Sequence, residues 1–413
     1  MNRMSGRAEP GPVDADVCVV GAGPVGSFLA LRLGAAGIRT RIVERRSAPP
    51  TRSMAIGIMP PTLRRFAGPG LDAALIPSGI RVRRAVVHDE RRILGTLAFS
   101  SLPPPHDFVL FLPQGALVSE LWSRLDGAGS VLFERNCSAV AIATGPCGVA
   151  VRLRGDGGDE RICSCRFLVL CDGAHGRLTP PGGRPEPARR YGVQFVMGDA
   201  PDATGWGDDA HLFFAPFGSL ESFPLPGGLR RWVARVRPGD PGDEATALDA
   251  CIRRMTGGSG RGGEWIETSC FAPERRLTRR YVRGRVILCG DAAHIMSPIG
   301  GQGMNTGLAD ADRLAGALSA ALCAGADPAP FLRRYERERK HAFRRAASRA
   351  ARGMWLGTRT GRVASALRAA LIRVLLHPPA WQARLARYFS MWSLPDAPRL
   401  GGTGVAAATE ARA

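Results

Sequence analysis

Residues 285–318 read RVILCGDAAHIMSPIGGQGMNTGLADADRLAGAL, and this stretch is the most informative about the fold class. An apolar, strand-like run at 286–289 stops at Gly290-Asp291. A turn rich in glycine and proline follows, and the pattern predicts a helix that begins near Gly303. This order sets a carboxylate at the end of a buried strand. It also directs the unpaired N–H groups of a helix N-terminus towards whatever lies above the turn.

A dinucleotide-binding fingerprint lies near the start of the chain. Residues 16–20 predict a buried parallel strand, 27–36 a helix, and 39–43 a second strand that ends at Glu44. The turn after the first strand spells G-x-G-x-x-G, with predicted cofactor-binding residues Gly21, Gly23, Pro24 and Gly26. Such glycines permit a tight turn and close approach to a pyrophosphate, while the acid accepts hydrogen bonds from a ribose hydroxyl. The same letters at 258–263 lack a strand and a helix around them and predict a loop.

Further signals lie between these two segments. A strand-like run at 167–171 ends in Asp172-Gly173, and a helix begins near Gln114. A further signal is the segment that follows Glu44 and runs from Arg45 to Arg52.

These segments resemble the FAD-contacting motifs of the single-component flavoprotein aromatic hydroxylases, the para-hydroxybenzoate hydroxylase-like superfamily, over about residues 14–330. The resemblance implies that Asp172-Gly173 serves both FAD and the nicotinamide cofactor, that Arg52 approaches the flavin, and that Gln114 contacts the ribityl chain or a phosphate. For Arg52 and Gln114 a surface salt bridge and a polar helix start stay open as alternatives. In the third motif the resemblance assigns FAD contacts to Gly290, Asp291, Pro298, Gly303, Met304 and Asn305.

The resemblance also implies the reaction. NADH or NADPH reduces FAD, O2 forms a flavin C4a-hydroperoxide, and its distal oxygen is transferred to an electron-rich ring. The chain contains no second genuine dinucleotide fingerprint, as in that superfamily. No catalytic acid or base stands out. The runner-up is a flavoprotein reductase of the geranylgeranyl-reductase type that saturates isoprenoid double bonds. The W-x-W-x-I-P signature of the flavin-dependent halogenases is absent from this chain, which disfavours that class. A non-catalytic flavin-binding protein is the remaining alternative.

Composition narrows the function classes. The chain has 413 residues, a net charge of +20 and 45% hydrophobic residues, which is typical of a globular protein. Its basic residues are almost all arginine, Lys340 being the only lysine, and they are scattered, so we expect no nucleic-acid partner. The cysteines lack metal-ligand spacing and no apolar stretch reaches 18 residues, so we expect a cytoplasmic protein with reduced thiols, no bound metal and no transmembrane segment. The sequence does not specify the oligomeric state.

The fold class predicted from these motifs is α/β. A discontinuous Rossmann-like FAD-binding domain carries an inserted antiparallel β-sheet substrate domain and is followed by C-terminal helices. The predicted ranges are 13–80, 107–180 and 280–330 for the FAD-binding domain, 81–106 and 181–279 for the substrate domain, 331–400 for the helical region, and 401–413 for a disordered tail.

Alternation along the inserted strands leads to a hypothesis about the substrate. Strands are predicted at 193–197, 211–217, 230–236 and 269–272. If the apolar faces of the second and third strands line the cavity over the flavin, the substrate contacts are His211, Phe213 and Trp232. His211 is then the only polar contact and no arginine awaits a carboxylate, so the substrate is an apolar phenol, polyketide or quinone. The alternative is that these faces form the packed core of the sheet.

The C-terminal helices are predicted at 330–348, 363–376 and 381–392. On the second, apolar residues recur at helical spacing, with Arg368 and Arg373 on the other side; they are Leu367, Ala370, Leu371, Val374 and Leu375. We expect this stripe to pack on the protein itself, with peripheral contact to a membrane surface as the alternative.

Overall fold

The computed structural model describes residues 13–51, 54–176, 178, 188–236, 243–258 and 260–394. Arg52 and the predicted tail at 401–413 lie outside these residues. The strands are β1 (Ala15–Val20), β2 (Thr40–Val43), β3 (Gly57–Ile58), β4 (Ile80–Val82), β5 (Arg84–His88), β6 (Ile93–Ala98), β7 (Val109–Phe111), β8 (Val131–Glu134), β9 (Cys137–Thr144), β10 (Val149–Gly155), β11 (Glu160–Leu170), β12 (Arg189–Arg190), β13 (Gln194–Pro201), β14 (Ala210–Ala215), β15 (Gly218–Leu225), β16 (Leu229–Val236), β17 (Glu267–Phe271), β18 (Glu274–Leu277), β19 (Val282–Arg283), β20 (Val286–Leu288) and β21 (His294–Ile295). The helices are α1 (Pro24–Ala35), α2 (Pro60–Ala67), α3 (Leu71–Leu75), α4 (Gln114–Asp126), α5 (Glu244–Thr256), α6 (Gln302–Cys323), α7 (Pro328–Thr358), α8 (Arg362–Leu376) and α9 (Pro379–Phe389), with short 3-10 turns at Ile76–Ser78 and Gly290–Ala292.

A largely parallel sheet forms the cofactor half of the molecule. Its order is β19-β20-β11-β1-β2-β8, and β10 and β9 extend it antiparallel from β11. β1 lies in the middle and pairs in parallel with β2 on one side and β11 on the other. Its continuous apolar run suits a strand that is buried on both faces. The predicted Rossmann-like arrangement is confirmed, and its strands come from separate parts of the chain.

The second sheet has seven strands in the order β17-β13-β16-β15-β14-β5-β6 and is antiparallel except between β14 and β5. Four of its strands were predicted from the sequence, but the strands β5, β6 and β15 and the helix α5 were not. In β15, Ser222 and Pro224 interrupt the apolar alternation from which strands are recognised. α5 packs its buried Leu248, Ile252 and Met255 against one face of this sheet. Two smaller sheets, β12-β18-β21 and β3-β7-β4, join the halves.

The C-terminal helices lie where they were predicted, but α7 continues ten residues beyond the predicted end at 348, and α8 is turned the other way. Leu367, Leu371 and Val374 are exposed, whereas Arg368 is buried with Ile372. The expectation that the apolar stripe packs on the protein is therefore wrong for most of its length, although Leu375 is half-buried. The Arg368 guanidinium donates to the carbonyl oxygens of Leu356, Arg359 and Ala215 at 2.8–3.2 Å. A cation whose N–H groups are satisfied in this way can occupy the inward face. Within the described ranges, none of the helices is both long and apolar enough to cross a membrane.

Candidate functional site

The carboxyl ends of four parallel strands meet at one edge of the first sheet. Val20 of β1 lies opposite Val43 of β2 and Leu170 of β11, and Leu170 lies opposite Leu288 of β20. The loops that leave these positions carry all three predicted motifs. Ligands of open α/β sheets bind in the crevice outside such strand ends, where the strand order reverses.

The glycine-rich loop between β1 and α1 packs tightly against the protein at Gly21 and Gly26 but is open to the cavity at Gly23. Gly21 has φ +98°, and a Cβ there would lie 2.6 Å from the Cys171 carbonyl oxygen. A Cβ on Gly26 would lie 2.0 Å from the Gly21 carbonyl oxygen, so neither position accepts a side chain. Around Gly23, in contrast, a Cβ would meet no protein atom within 4 Å, and this glycine faces the cavity. It precedes the N-terminus of α1, where backbone N–H groups favour an anion.

Glu44 is held against this loop. Its carboxylate accepts hydrogen bonds from the backbone N–H of Ala22 at 2.8 Å and of Arg46 at 3.1 Å. The residue is buried but also lines the cavity. A carboxylate has about four acceptor positions, so two remain for the hydroxyls of a ribose.

Glu44→Ala is therefore expected to weaken FAD binding by about 1.5–3 kcal/mol, the usual contribution of a hydrogen bond to a charged group. FAD titration monitored by flavin fluorescence measures the change. Glu44→Gln is the matched control, because the amide keeps one acceptor oxygen and should weaken binding less. Unchanged FAD affinity in the alanine variant would remove Glu44 from the ribose contact.

Two aspartates face the cavity from neighbouring strand ends. Burial raises the pKa of Asp172 above its ordinary value, against the lowering effect of backbone hydrogen bonds and Arg45. Asp291 is exposed on the cavity wall yet has protein around it on its other sides, and this desolvation raises the pKa of the carboxyl. Carboxyls in such a setting suit neutral hydroxyl groups as partners rather than phosphates.

The turn before α6 completes the edge. Gly300 and Gly301 have φ of 82° and 63°, and the 22-residue helix begins directly after them. Gly303 and Met304 line the cavity in its first turn. Asn305 instead points into the protein, where its side chain accepts from Met59 N–H at 2.9 Å and donates to Gly57 and Gly301 carbonyls at 2.9 and 2.8 Å. Its role in this structure is to tie α6 to β3.

The predicted cofactor residues that the structure describes, which are all but Arg52, divide into two groups. Those that line the cavity are Gly21, Gly23, Pro24, Glu44, Arg45, Gln114, Asp172, Gly173, Asp291, Pro298, Gly303 and Met304. Those that shape the turns from behind are Gly26, Gly290 and Asn305.

A buried charge cluster lies behind the third motif. His294 Nε2 lies 2.6 Å from Asp310 Oδ2, and Arg339 of α7 bonds to the other carboxylate oxygen. Burial alone would raise the pKa of Asp310, but the charges of Arg339 and His294 outweigh it and hold the pKa below its ordinary value. The cluster fixes α6, and hence the turn at its N-terminus, against α7.

The cavity extends well beyond the strand ends and has a volume of about 1400 Å³. Its far wall is the second sheet, which presents Phe195, Met197 and Val233 packed with Ile299 of the cofactor turn. Ligand pockets typically measure about 300–1,000 Å³, so this cavity has room for a dinucleotide and a second molecule.

The substrate contacts predicted from strand alternation lie on the opposite face. Phe213 and Trp232 are buried against α5 rather than lining the cavity. His211 also faces away: it lies 2.9 Å from His88 and stacks on Trp206, and burial, followed by the charge of His88, lowers the pKa of His211 to about 4. The prediction is corrected because α5 needs an apolar sheet face to cover. Its apolar residues at helical spacing were the signal that could have revealed this orientation.

The face of the second sheet that lines the cavity carries residues that were not predicted from the sequence. On β16 it includes Arg231, contrary to the expectation that no arginine faces the cavity. This guanidinium makes a bidentate pair with Asp199 at 2.7 Å for both contacts, and it donates to the Met54 carbonyl oxygen at 3.1 Å. On β15 the cavity face includes Ser219, Glu221 and Phe223.

Comparison with known proteins identifies the family to which this chain belongs. The family model described as "FAD binding domain" matches residues 14–350. The 6-methylpretetramide 4-monooxygenase of Streptomyces rimosus is 34% identical over 330 residues, which are 74% of this chain and 56% of that enzyme. The dialkyldecalin synthase of Streptomyces rugosporus is 30% identical over 355 residues, 80% of this chain and 71% of that protein.

Among solved structures, the p-nitrophenol 4-monooxygenase from Pseudomonas putida superposes with a TM-score of 0.85 over 94% of this chain and 99% of its own. Its sequence is only 22% identical, so it supports the fold alone. The chain spans roughly half to two thirds of the length of the first curated relatives. The family match nevertheless covers most of this chain, and the chain belongs to the FAD binding domain family within the para-hydroxybenzoate hydroxylase-like superfamily of flavoproteins.

Proposed function

We propose that this chain binds FAD and, with NADH or NADPH and O2, hydroxylates an apolar, multi-ring phenol. The observation that carries the proposal is the continuity of the cavity. It runs from the glycine-rich strand ends to the inner face of the second sheet, so a cofactor and a substrate can meet within one continuous space.

The strand-end part of the cavity fits a dinucleotide. The open backbone at Gly23 and the N-terminus of α1 would hold the pyrophosphate. Glu44 would hold the ribose of the adenosine half, and Asp172 and Asp291 would accept hydrogen bonds from the ribityl hydroxyls. The N-terminus of α6 would place its partial positive charge beside the flavin ring.

The far part of the cavity fits an apolar ring system. Its sheet wall presents Phe195, Leu212 and Val233, and the helical wall presents Ile372 and Phe389, among other apolar residues. Arg231 is already paired with Asp199, which disfavours a small substrate anchored by its own carboxylate. The monooxygenase from Streptomyces rimosus, whose name specifies 6-methylpretetramide, supports a polyketide-like substrate.

Bound FAD, once reduced by NADH or NADPH, would supply the transfer of one oxygen atom from O2 to the ring. The residues of this chain orient the ring between sheet and helices and keep water away from it. α8 and α9 contribute Ile372, Leu376, Leu385 and Phe389 to the apolar wall that does so.

The expected result with a suitable phenol, such as 2-naphthol or alizarin, is faster NAD(P)H consumption and one atom from labelled dioxygen in the product. Mass spectrometry of the product and the absorbance of the nicotinamide measure the two. The FAD-loaded protein without phenol is the control. Anaerobic saturation of an isoprenoid double bond would instead support the reductase. An isomerised product without oxygen uptake would support a ring-forming activity like that named for the dialkyldecalin synthase.

A further inference from the structure

Glu221 is a carboxyl placed on the apolar wall of the cavity. It lies in the middle of β15, directly opposite Leu212 of β14 and Val233 of β16. All three residues line the cavity, and Phe223 follows on the same face. Side chains directly opposite in antiparallel strands have their Cβ atoms about 4.5–5.5 Å apart, so Glu221 has hydrocarbon on both sides.

The charged groups near Glu221 do not neutralise the charge of its carboxylate. Arg231 on the adjacent strand is bound to Asp199 and to the Met54 carbonyl, and Arg235 is also engaged. From the helices that close the cavity, the described lining residues are all uncharged: Gly353, Met354, Leu356, Gly357, Thr358, Ile372, Leu375, Leu376, Leu385 and Phe389. The lining residues of β5 and β6 are apolar as well. Among the described residues, Glu221 therefore has neither an ion pair nor a hydrogen bond.

An unpartnered carboxyl in such a place works against folding, because its charged form is poorly solvated. Nothing in the sheet requires it, since an apolar side chain would satisfy the same strand position. Desolvated ionisable groups that lie in a cavity concentrate at functional sites.

We propose that Glu221 is the general base for the phenolic hydroxyl of the substrate. This inference rests on the proposed hydroxylation. The O–H bond of the substrate breaks, the proton moves to a carboxylate oxygen of Glu221, and the electron pair stays on the substrate oxygen. The ring thereby becomes richer in electrons at its ortho and para positions, where an electrophilic oxygen adds.

The electrostatics of the site suit this role. Desolvation alone raises the pKa of Glu221 to about 7. A base with a pKa near the working pH combines a substantial ionised fraction with sufficient basicity. The carboxyl is protonated below this value and ionised above it, so turnover should rise with pH through about 7.

Glu221→Gln tests the base with little change in shape. The variant should keep its FAD content and lower kcat for hydroxylation of 2-naphthol by about 100-fold or more, the usual contribution of general acid–base catalysis. The rise of kcat through neutral pH should disappear as well. Glu264→Gln, at an exposed position outside the cavity, is the matched control and should match the wild type. Wild-type kcat and an unchanged pH profile in Glu221→Gln would overturn the inference.

A binding measurement separates this inference from the proposed hydroxylation. Equilibrium dialysis of the FAD-loaded protein should show that 2-naphthol binds about tenfold or more tightly than its methyl ether, 2-methoxynaphthalene, because only the phenol donates to Glu221. Glu221→Leu should remove this preference. The wild type could prefer the phenol, and Glu221→Leu could lose this preference, while no phenol is hydroxylated. The proposed function would then fail, but the contact between Glu221 and the phenol would stand. If the phenol and its ether bind the wild type equally, the Glu221 proposal fails.

Discussion

Arg339→Met is expected to lower the free energy of unfolding by about 3–5 kcal/mol, because it leaves the buried Asp310 carboxylate without its cationic partner. Asp310 is fully buried on α6, and Arg339 of α7 is 1% exposed. The remaining partner, His294, cannot replace a guanidinium that also donates to the Thr306 carbonyl oxygen at 3.3 Å. The loss should reach the cofactor, since α6 carries Gly303 and Met304 at the cavity.

Urea-induced unfolding of the FAD-free protein, followed by circular dichroism, measures this change. Arg334→Met is the matched control on the same helix. Arg334 pairs with Glu338 at 2.7 Å but is 65% exposed, and an exposed ion pair contributes about 0–1 kcal/mol. Asp310→Asn combined with Arg339→Met should recover part of the loss, because it removes the uncompensated charge. Equal stability of the two single methionine variants would show that the buried cluster contributes no more than a surface pair.

Gly26→Ala is expected to destabilise the fold and to weaken FAD binding, whereas Gly23→Ala should spare the fold and weaken FAD binding alone. A Cβ added at Gly26 would lie 2.0 Å from the Gly21 carbonyl oxygen and 3.0 Å from the Cys171 Cβ. The turn between β1 and α1 would have to move, and overpacking of this kind costs about 1–3 kcal/mol. At Gly23 the backbone has φ −67°, which alanine adopts freely, and the added carbon meets no protein atom within 4 Å.

The two glycine variants therefore distinguish packing from cofactor contact. Thermal unfolding of the FAD-free proteins should show a loss for Gly26→Ala and a change within about 0.5 kcal/mol for Gly23→Ala. FAD titration should show weakened binding for both, because a methyl group at Gly23 occupies the space through which a pyrophosphate approaches the backbone. Wild-type FAD affinity in Gly23→Ala would mean that the pyrophosphate does not pass over this residue.

The cofactor half of this protein could be predicted from the sequence alone. A dinucleotide-binding turn requires a buried strand, a glycine-rich turn and an acidic residue that lie close together in the sequence. Those constraints are local, so Gly21, Glu44, Asp172 and Asp291 could be placed at the ends of strands before any strand was paired. The register of β1 with β2 and β11 then brings the first three of these residues to one edge of the sheet.

The sequence did not reveal which faces of the second sheet and of α8 point inward. Only the tertiary structure shows this. Periodicity reveals that a strand or helix has two unlike faces, but not which face meets the cavity. Trp232 and Phe213 face α5, and Glu221 and Arg231 face the cavity. On α8, Arg368 is buried while Leu371 is exposed. On β16 and on α8 an arginine occupies the inner face because a distant partner is available, Asp199 for Arg231 and the Ala215 carbonyl oxygen for Arg368. Such partners lie far away in the chain, so only the folded protein shows them.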